Sequence, residues 1–197
     1  MASYRAISAV GEAVIHLLRT NYRPEDFNNE LEFRVYLPRD FSQPMAAGVS
    51  LFLYRVIPNG THRIPSGRIG PDGRHMQTQL PLDLHFLLTA WGQDASLQHT
   101  ITGWMIRTIE DTPILPAGLL NAVAPNVFQP DDTVEVILAE LTNEDMFRIW
   151  ETFAENLYQL SVPYIARNIR IESTLPLAEG ELVQERTFDY REIRRDF

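Results

Sequence analysis

The stretch PLDLHFLLTAWG, residues 81–92, decides the fold of this chain. Successive side chains of a β-strand point to opposite faces of a sheet, so the stretch divides into two faces. One face is entirely apolar and comprises Leu82, Leu84, Phe86, Leu88 and Ala90. The other face comprises Asp83, His85, Leu87, Thr89 and Trp91. The alternation predicts a buried strand, and it raises the question of whether the acid and the histidine bind a metal, transfer a proton or mark where the sheet meets something polar.

Helices and strands are mixed on both sides of this stretch. Helical spacing of apolar residues, together with capping and proline signals, predicts helices at 4–20, between Asp94 and Pro113, at 115–123 and from Thr142 through Phe153. Apolar runs and alternation predict further strands at 30–37, 48–60, 133–141 and 162–172. Because strict strand–helix alternation is absent, we predict a single α+β domain, with a mostly antiparallel or mixed β-sheet and helices packed on it.

Two of these strands carry more detailed expectations. In 48–60, one face comprises Val49, Leu51 and Leu53, and the other comprises Phe52, Tyr54 and Val56. Both faces are apolar, which predicts a central strand that is covered on two sides. In 162–172, Ile165, Ile169 and Ile171 are expected to share a face with Arg167. Pro163 either confines that strand to a sheet edge or marks the strand start, because proline donates no backbone hydrogen bond.

The composition excludes several kinds of chemistry. The chain has 197 residues, a net charge of −9 and no cysteine, so it has no disulfide, thiolate nucleophile or cysteine zinc site. All 17 basic residues are arginine, which excludes a P-loop lysine and Schiff-base catalysis. The acidic balance disfavours nucleic-acid binding. Neither a signal peptide nor a membrane-spanning run is predicted, which favours a cytoplasmic protein.

The histidines do not form a metal-binding motif. Besides His85 they are His16, His62, His75 and His99, and no two are spaced i, i+4 on a helix. A zinc site needs three or four convergent ligands, so the loop with His62 and His75 would have to fold over His85. A G-x-S-x-G motif is also absent. We therefore predict no catalytic, cofactor or metal site, with a small metal-dependent hydrolase that uses Asp83 and His85 as an alternative. The tryptophans at 91, 104 and 150 are expected in the core.

Several stretches together resemble one family, the cap or tail-terminator proteins of extracellular contractile injection systems. The matching stretches are VSLFLYRVIPN (49–59), LPLDLHFLLTAWG (80–92), HTITGWMIRTIEDTPILPAGLL (99–120) and SVPYIARNIRIE (161–172). Their order and spacing carry the resemblance, which covers about residues 4–173. It divides the chain into a tail-terminator-like domain, 1–175, and a charged C-terminal extension, 176–197.

The resemblance implies an assembly role without catalysis or cofactor. Tail terminators form a hexameric ring on the last disc of the inner tube and the contractile sheath, where the ring stops growth and ties the sheath to the tube. The expected partners are therefore further copies of this chain and the tube and sheath proteins, in a particle assembled in the cytoplasm. A neck or baseplate adaptor of a phage-tail-like particle is the nearest alternative.

Two arginine-rich segments are the candidate interfaces of such a ring. The loop 61–80 carries Arg63, Arg68 and Arg74. The tail carries Arg186, Arg191, Arg194 and Arg195, interleaved with acids. Arginine pairs carboxylates bidentately, and charge complementarity fixes partner choice and register. We therefore predict that the loop meets an acidic surface of a neighbour, the tube or the sheath, and that the tail clasps an adjacent subunit. The alternative is that both segments are solvated.

Overall fold

A computed structural model describes residues 2–27, 30–60, 78–153 and 158–173. The helices of this part are α1 (Ala6–Asn21), α2 (Ala95–Asp111), α3 (Ala117–Val123) and α4 (Asn143–Glu151). The strands are β1 (Glu32–Val35), β2 (Gly48–Pro58), β3 (Gln79–Trp91), β4 (Ile114–Pro116), β5 (Thr133–Leu138) and β6 (Ser161–Glu172). Two short 3-10 helices, Pro24–Asp26 and Pro38–Ser42, flank β1.

The strands form one mixed sheet in the order β1-β2-β3-β6-β5-β4. Only the β1–β2 pair is parallel among the described strands, and the remaining pairs are antiparallel. The opening stretch is β3, which pairs with β2 on one side and β6 on the other. The predicted α+β fold with a mixed, mostly antiparallel sheet is therefore confirmed.

The apolar face of β3 lies in the main core. Its residues Leu84, Phe86 and Leu88 are each at most 2% exposed and pack with apolar side chains of α1, α2 and α3. The predicted N-cap of α2 is present, since the Asp94 carboxylate accepts a hydrogen bond from the Leu97 amide at 2.9 Å. The core is mostly aliphatic, with an aromatic corner where Trp104 meets Phe27 edge-on at 5.4 Å.

The second face of the sheet carries a smaller, aromatic core. It comprises Tyr36, Phe41, Met45, Leu87, Trp91, Met146 and Trp150. Phe41 stacks on Phe153 at 4.1 Å, and the Trp91 indole donates a 2.8 Å hydrogen bond to Ser50. Helix α4 closes this core and begins at the predicted cap, since the Thr142 hydroxyl accepts from the Asp145 amide. The three tryptophans therefore occupy core positions, as expected.

The structure decides between the two alternatives for Pro163 in β6 and corrects one expectation for the strand. The strand is interior, because it pairs with both β3 and β5, so Pro163 marks the strand start and not an edge. The register shifts at Asn168, a non-glycine residue with a φ of 66°. This bulge turns Ile169 and Ile171 into the main core, whereas Ile165 and Arg167 lie on the second face with His85.

A second bulge corrects the expectation for β2. Leu53 pairs with Phe86 but Arg55 pairs with His85, so β2 contains one extra residue here. Val56 then pairs with Leu84 and lies on the main-core face, not on the face of Phe52 and Tyr54 as predicted. The first part of β2 is covered on both sides as expected, because Gly48 to Leu51 are buried.

Candidate interaction surfaces

A polar patch occupies the second face where the two bulges meet β3. Asp83 and His85 are half-buried there, and the Asn59 amide donates a 3.4 Å hydrogen bond to the Asp83 carboxylate. Glu135, Arg167 and Arg170 line a cleft of about 400 Å³ beside Asp83. Both bulges thus bring charged side chains of the neighbouring strands toward the polar end of β3.

Burial and the neighbouring charges lower the pKa of His85. Partial burial is the main cause that lowers the His85 pKa from 6.5, and the positive charges of Arg55 and Arg167 add to it, whereas the Asp83 carboxylate opposes the shift. The ring of Tyr54 approaches His85 edge-on at 6.0 Å between centroids. His85 therefore packs in the sheet surface between an aromatic ring and two arginines.

The described residues do not assemble a metal site. No group of three or more histidine, aspartate or glutamate side chains in this part of the chain is arranged to hold an ion. His16 and His99 lie on α1 and α2, which cover the opposite face of the sheet from His85. His62 and His75 lie outside the described residues, so the hydrolase alternative depends on ligands that the structure does not place.

An apolar groove lies between α1 and the outer edge of the sheet. Its volume is about 580 Å³, with Leu51, Leu84 and Phe86 among the lining residues. At its rim, Tyr4 is 74% exposed and Leu37 is 53% exposed. Large exposed apolar side chains that gather around one groove are typical of surfaces that another chain covers.

The backbone edge beside this groove is open. Strand β1 pairs only with residues 48–51 of β2, and the Tyr36 amide makes the last hydrogen bond of this pairing, to the Leu51 carbonyl at 2.8 Å. From Phe52 to Pro58, no strand of the described chain pairs with this side of β2. An unpaired edge offers N–H and C=O groups to an incoming strand.

A charged cleft flanks the same edge on the second face. It measures about 500 Å³ and lies between β2 and α4, lined by Phe52, Tyr54, Arg55, Asp145 and Arg148, among others. Arg148 pairs with Glu144 at 2.5 Å, whereas Arg55 makes no ion pair with a described residue. Phe52 borders both the groove and the cleft, so the two surfaces adjoin across β2.

The seven arginines predicted to form interfaces lie outside the described residues. These are Arg63, Arg68, Arg74, Arg186, Arg191, Arg194 and Arg195. The structure instead places Arg55, Arg167 and Arg170 around the bulges, and none of these three was predicted to be an interface residue. Alternation could not place Arg55 and Arg170, because each follows a bulge that reverses the direction of the side chains, whereas Arg167 keeps the predicted face of Ile165.

This fold is found in the terminators of contractile injection systems. The chain superposes on the PVC sheath/tube terminator of an extracellular contractile injection system in its extended state, with a TM-score of 0.61 and 15% identity. That match covers 95% of this chain and 64% of the other. The tube-terminating cap of the anti-feeding prophage gives a TM-score of 0.60 at 14% identity, over 92% of this chain and 60% of that one.

The family follows from the sequence profile. Residues 9–185 match the Pvc16 N-terminal domain, and the chain belongs to this family. It spans slightly less than two thirds of the length of the two solved structures above. Comparison with curated protein sequences finds no significant match. Within the described residues, no helix has the length and apolarity needed to cross a bilayer.

Proposed function

We propose that this chain is a cap that ends the polymerisation of the inner tube and contractile sheath of an injection particle. The observation that carries the proposal is the likeness to two tube terminators over more than nine tenths of the chain, together with the family match over residues 9–185. The cap sits at the end of the tube and sheath distal to the baseplate and couples the two.

The partners of this role are further copies of the chain and the tube and sheath proteins. The copies form a hexameric ring, as the resemblance to tail terminators implies, and a closed ring is the geometry in which identical head-to-tail contacts terminate themselves. The role needs no catalysis, cofactor or nucleic acid. The ring joins the particle in the cytoplasm, before release. The loop arginines 63, 68 and 74 face the acidic surface of a neighbour, the tube or the sheath, and the tail 176–197 clasps an adjacent subunit.

Particles from cells that lack this chain test the proposal. A terminator stops growth, so its loss should give tubes and sheaths of irregular length, while particles from cells that express the wild-type chain keep one length. Electron microscopy of purified particles measures the length distribution and locates the labelled chain. A label at the baseplate would show that the chain is an adaptor at another position, and a regular length distribution without the chain would overturn the terminator role.

A further inference from the structure

Isoleucine side chains share the polar end of the second face with the charged residues. Ile165 pairs with Ile137 on β5 and with His85 on β3. Ile57 pairs with Asp83, and side chains that lie opposite one another in a sheet share a face. The three isoleucines are only half-buried in the described structure. Aliphatic side chains that gather on one sheet face in this way favour a covering segment.

The arginines of this end have no ion pair among the described residues. Four arginines elsewhere in the described chain each pair with an acid, whereas Arg55, Arg167 and Arg170 pair with none there. Against the two nearby acids, Asp83 and Glu135, the three arginines leave one net positive charge in a chain whose total is −9. The fitting cover is therefore a segment that combines acids with aliphatic residues and carries no basic residue.

The chain itself contains such a segment directly after β6. Residues 174–185, TLPLAEGELVQE, have no basic residue, and their acids are Glu179, Glu181 and Glu185. Leu182 and Val183 supply aliphatic side chains between these acids. The match to the Pvc16 N-terminal domain runs to residue 185, so the segment belongs to the matched domain.

We propose that residues 179–185 lie across the polar end of the second face of their own chain. The acids of the segment pair with Arg167 and Arg170, and its aliphatic side chains cover the half-buried isoleucines. Residues 186–197, which carry the four tail arginines, then remain for the clasp proposed above.

The described chain ends within reach of this surface. The Ser173 amide donates a 3.0 Å hydrogen bond to the Thr78 carbonyl, and Arg170 lies three residues before Ser173 on β6. Three residues of a strand span about 10 Å. The five residues 174–178 extend to about 17 Å, so the chain can turn back over Arg170.

The sheet leaves the second face as the place for the segment. On one side, Glu172 pairs with Gln79 of β3, and on the other side its amide donates a 3.0 Å hydrogen bond to the Ala2 carbonyl. Both edges at the end of β6 are therefore occupied. On the main face, Ile169 is buried in the main core and Ile171 packs against it.

The short connection favours the same chain over a second copy. A segment that is joined to its site by a short flexible linker has an effective concentration on the order of millimolar. A second copy in dilute solution does not match this concentration. The contact is therefore expected within one chain, and it does not depend on assembly into a particle.

Cysteine cross-linking tests the contact, because the chain has no native cysteine. In the full-length chain, Glu135→Cys in the cleft and Gln184→Cys in the segment should be joined within one chain by a short bismaleimide. Mass spectrometry of the digested monomer identifies the linked peptides. His99→Cys, at an exposed position on α2, replaces Glu135→Cys as the matched control and should give only background. Equal yields from the two pairs would overturn the proposal.

A mixture of single variants distinguishes the same chain from a second copy. Purified Glu135→Cys and Gln184→Cys chains are mixed and treated with the same reagent. The proposal expects little covalent dimer from this mixture and efficient linkage in the double variant. Linkage that forms only between chains would overturn it.

Charge reversal tests the role of the arginines. Glu179→Arg together with Glu181→Arg should reduce the intrachain cross-link to background, and adding Arg167→Glu with Arg170→Glu should restore it. Arg23→Glu, at an exposed position without an ion pair to a described residue, is the control for the second pair and should restore nothing. Circular dichroism verifies that each variant folds. An unchanged yield in the folded Glu179→Arg, Glu181→Arg variant would contradict the proposed pairing.

Deletion of residues 186–197 separates this inference from the proposed function. The intrachain cross-link should persist at its full yield in the truncated chain, because the docked segment ends at residue 185. Loss of the cross-link would overturn the inference. The length distribution of particles depends on the terminator role and leaves the cross-link unaffected, so each proposal can fail without the other.

Discussion

The two faces of the sheet are covered by different kinds of side chain. The main face is covered along its length by α1, α2 and α3, and its interior is mostly aliphatic. The described residues cover the second face at one end, where Phe41, Trp91 and Trp150 pack beneath α4. Its other end carries Asp83 and His85 and remains half-buried.

Strand β3 contributes side chains to both faces, and the two sets of side chains have different roles. Its apolar face supplies the residues whose burial stabilises the whole domain. Its second face passes from Trp91, at 3% exposure, to the polar residues beside the bulges. We infer that the main face holds the fold together, while the second face and the outer edge are the surfaces that the described residues leave open.

The largest effect should come from a charge in the main core. Phe86 is 2% exposed, and a buried unpaired carboxylate costs several kcal/mol, against a total stability of about 5–15 kcal/mol. Phe86→Asp should therefore abolish folding, as judged by circular dichroism. Leu53→Asp on β2, which is half-buried and packs against the same core, should cost less stability and is the comparison. A folded Phe86→Asp variant would contradict the division between the faces.

Loss of an aromatic residue from the second face should be smaller and local. Trp150 is 3% exposed and contacts Phe41, Trp91, Phe153 and Tyr158. Trp150→Ala should cost about 3–5 kcal/mol. Hydrogen exchange should show that α4 loses protection while α1 and β3 keep theirs. Equal loss of protection in all three elements would mean that the two cores do not differ in this way.

The contribution of the β6 bulge to stability should depend on the backbone conformation of Asn168. Asn168 has a φ of 66°, a left-handed conformation that β-branched residues avoid. Asn168→Val should lower the free energy of unfolding by about 1–3 kcal/mol, whereas Asn168→Gly should be close to neutral. Denaturant melts of both variants measure the difference. Equal stability of the two would show that the bulge does not require this conformation.

The smallest effect concerns pH and His85. Because the folded-state pKa of His85 lies below 6.5, the unfolded state binds the proton first as the pH falls, so stability is lost below about pH 6.5. His85→Gln should lose less stability than the wild type on acidification. His99→Gln, at an exposed position on α2, is the control. Urea melts at several pH values measure the slopes, and parallel curves for His85→Gln and the wild type would contradict the prediction.

The sequence predicts what is local. Alternation in β3 identifies a buried strand, and Asp94 and Thr142 identify two helix starts, because each signal lies within a few residues. The bulges at Asn168 and beside Tyr54 were missed, since one inserted residue leaves periodicity on either side intact and only reverses its phase. The resemblance to tail terminators came from the order of several stretches and was confirmed by the fold and the family.

The candidate interaction surfaces could be predicted from the sequence less well than the strands and helix starts. The groove joins residues far apart in sequence, such as Tyr4, Val35 and Phe86, and only the folded sheet brings them together. The arginines of the loop and the tail were predicted to be interface residues because charged side chains have no place in a core. This interface role stays a prediction. The sequence did not predict the position of Arg55, because the pattern of β2 does not reveal the bulge beside this residue.

The parallel pairing of β1 has a mechanical consequence. Gly48 approaches so closely that a Cβ would lie 2.0 Å from the Glu32 carbonyl oxygen, so only glycine allows the two strands to meet. The chain between them, 36–47, must cross the second face, where it inserts Phe41 into the aromatic core. A force that pulls β1 away would have to shear four residue pairs and extract this side chain at the same moment. The β1 edge should therefore bear load well, whereas β4, held by three pairs at the opposite edge, should yield first.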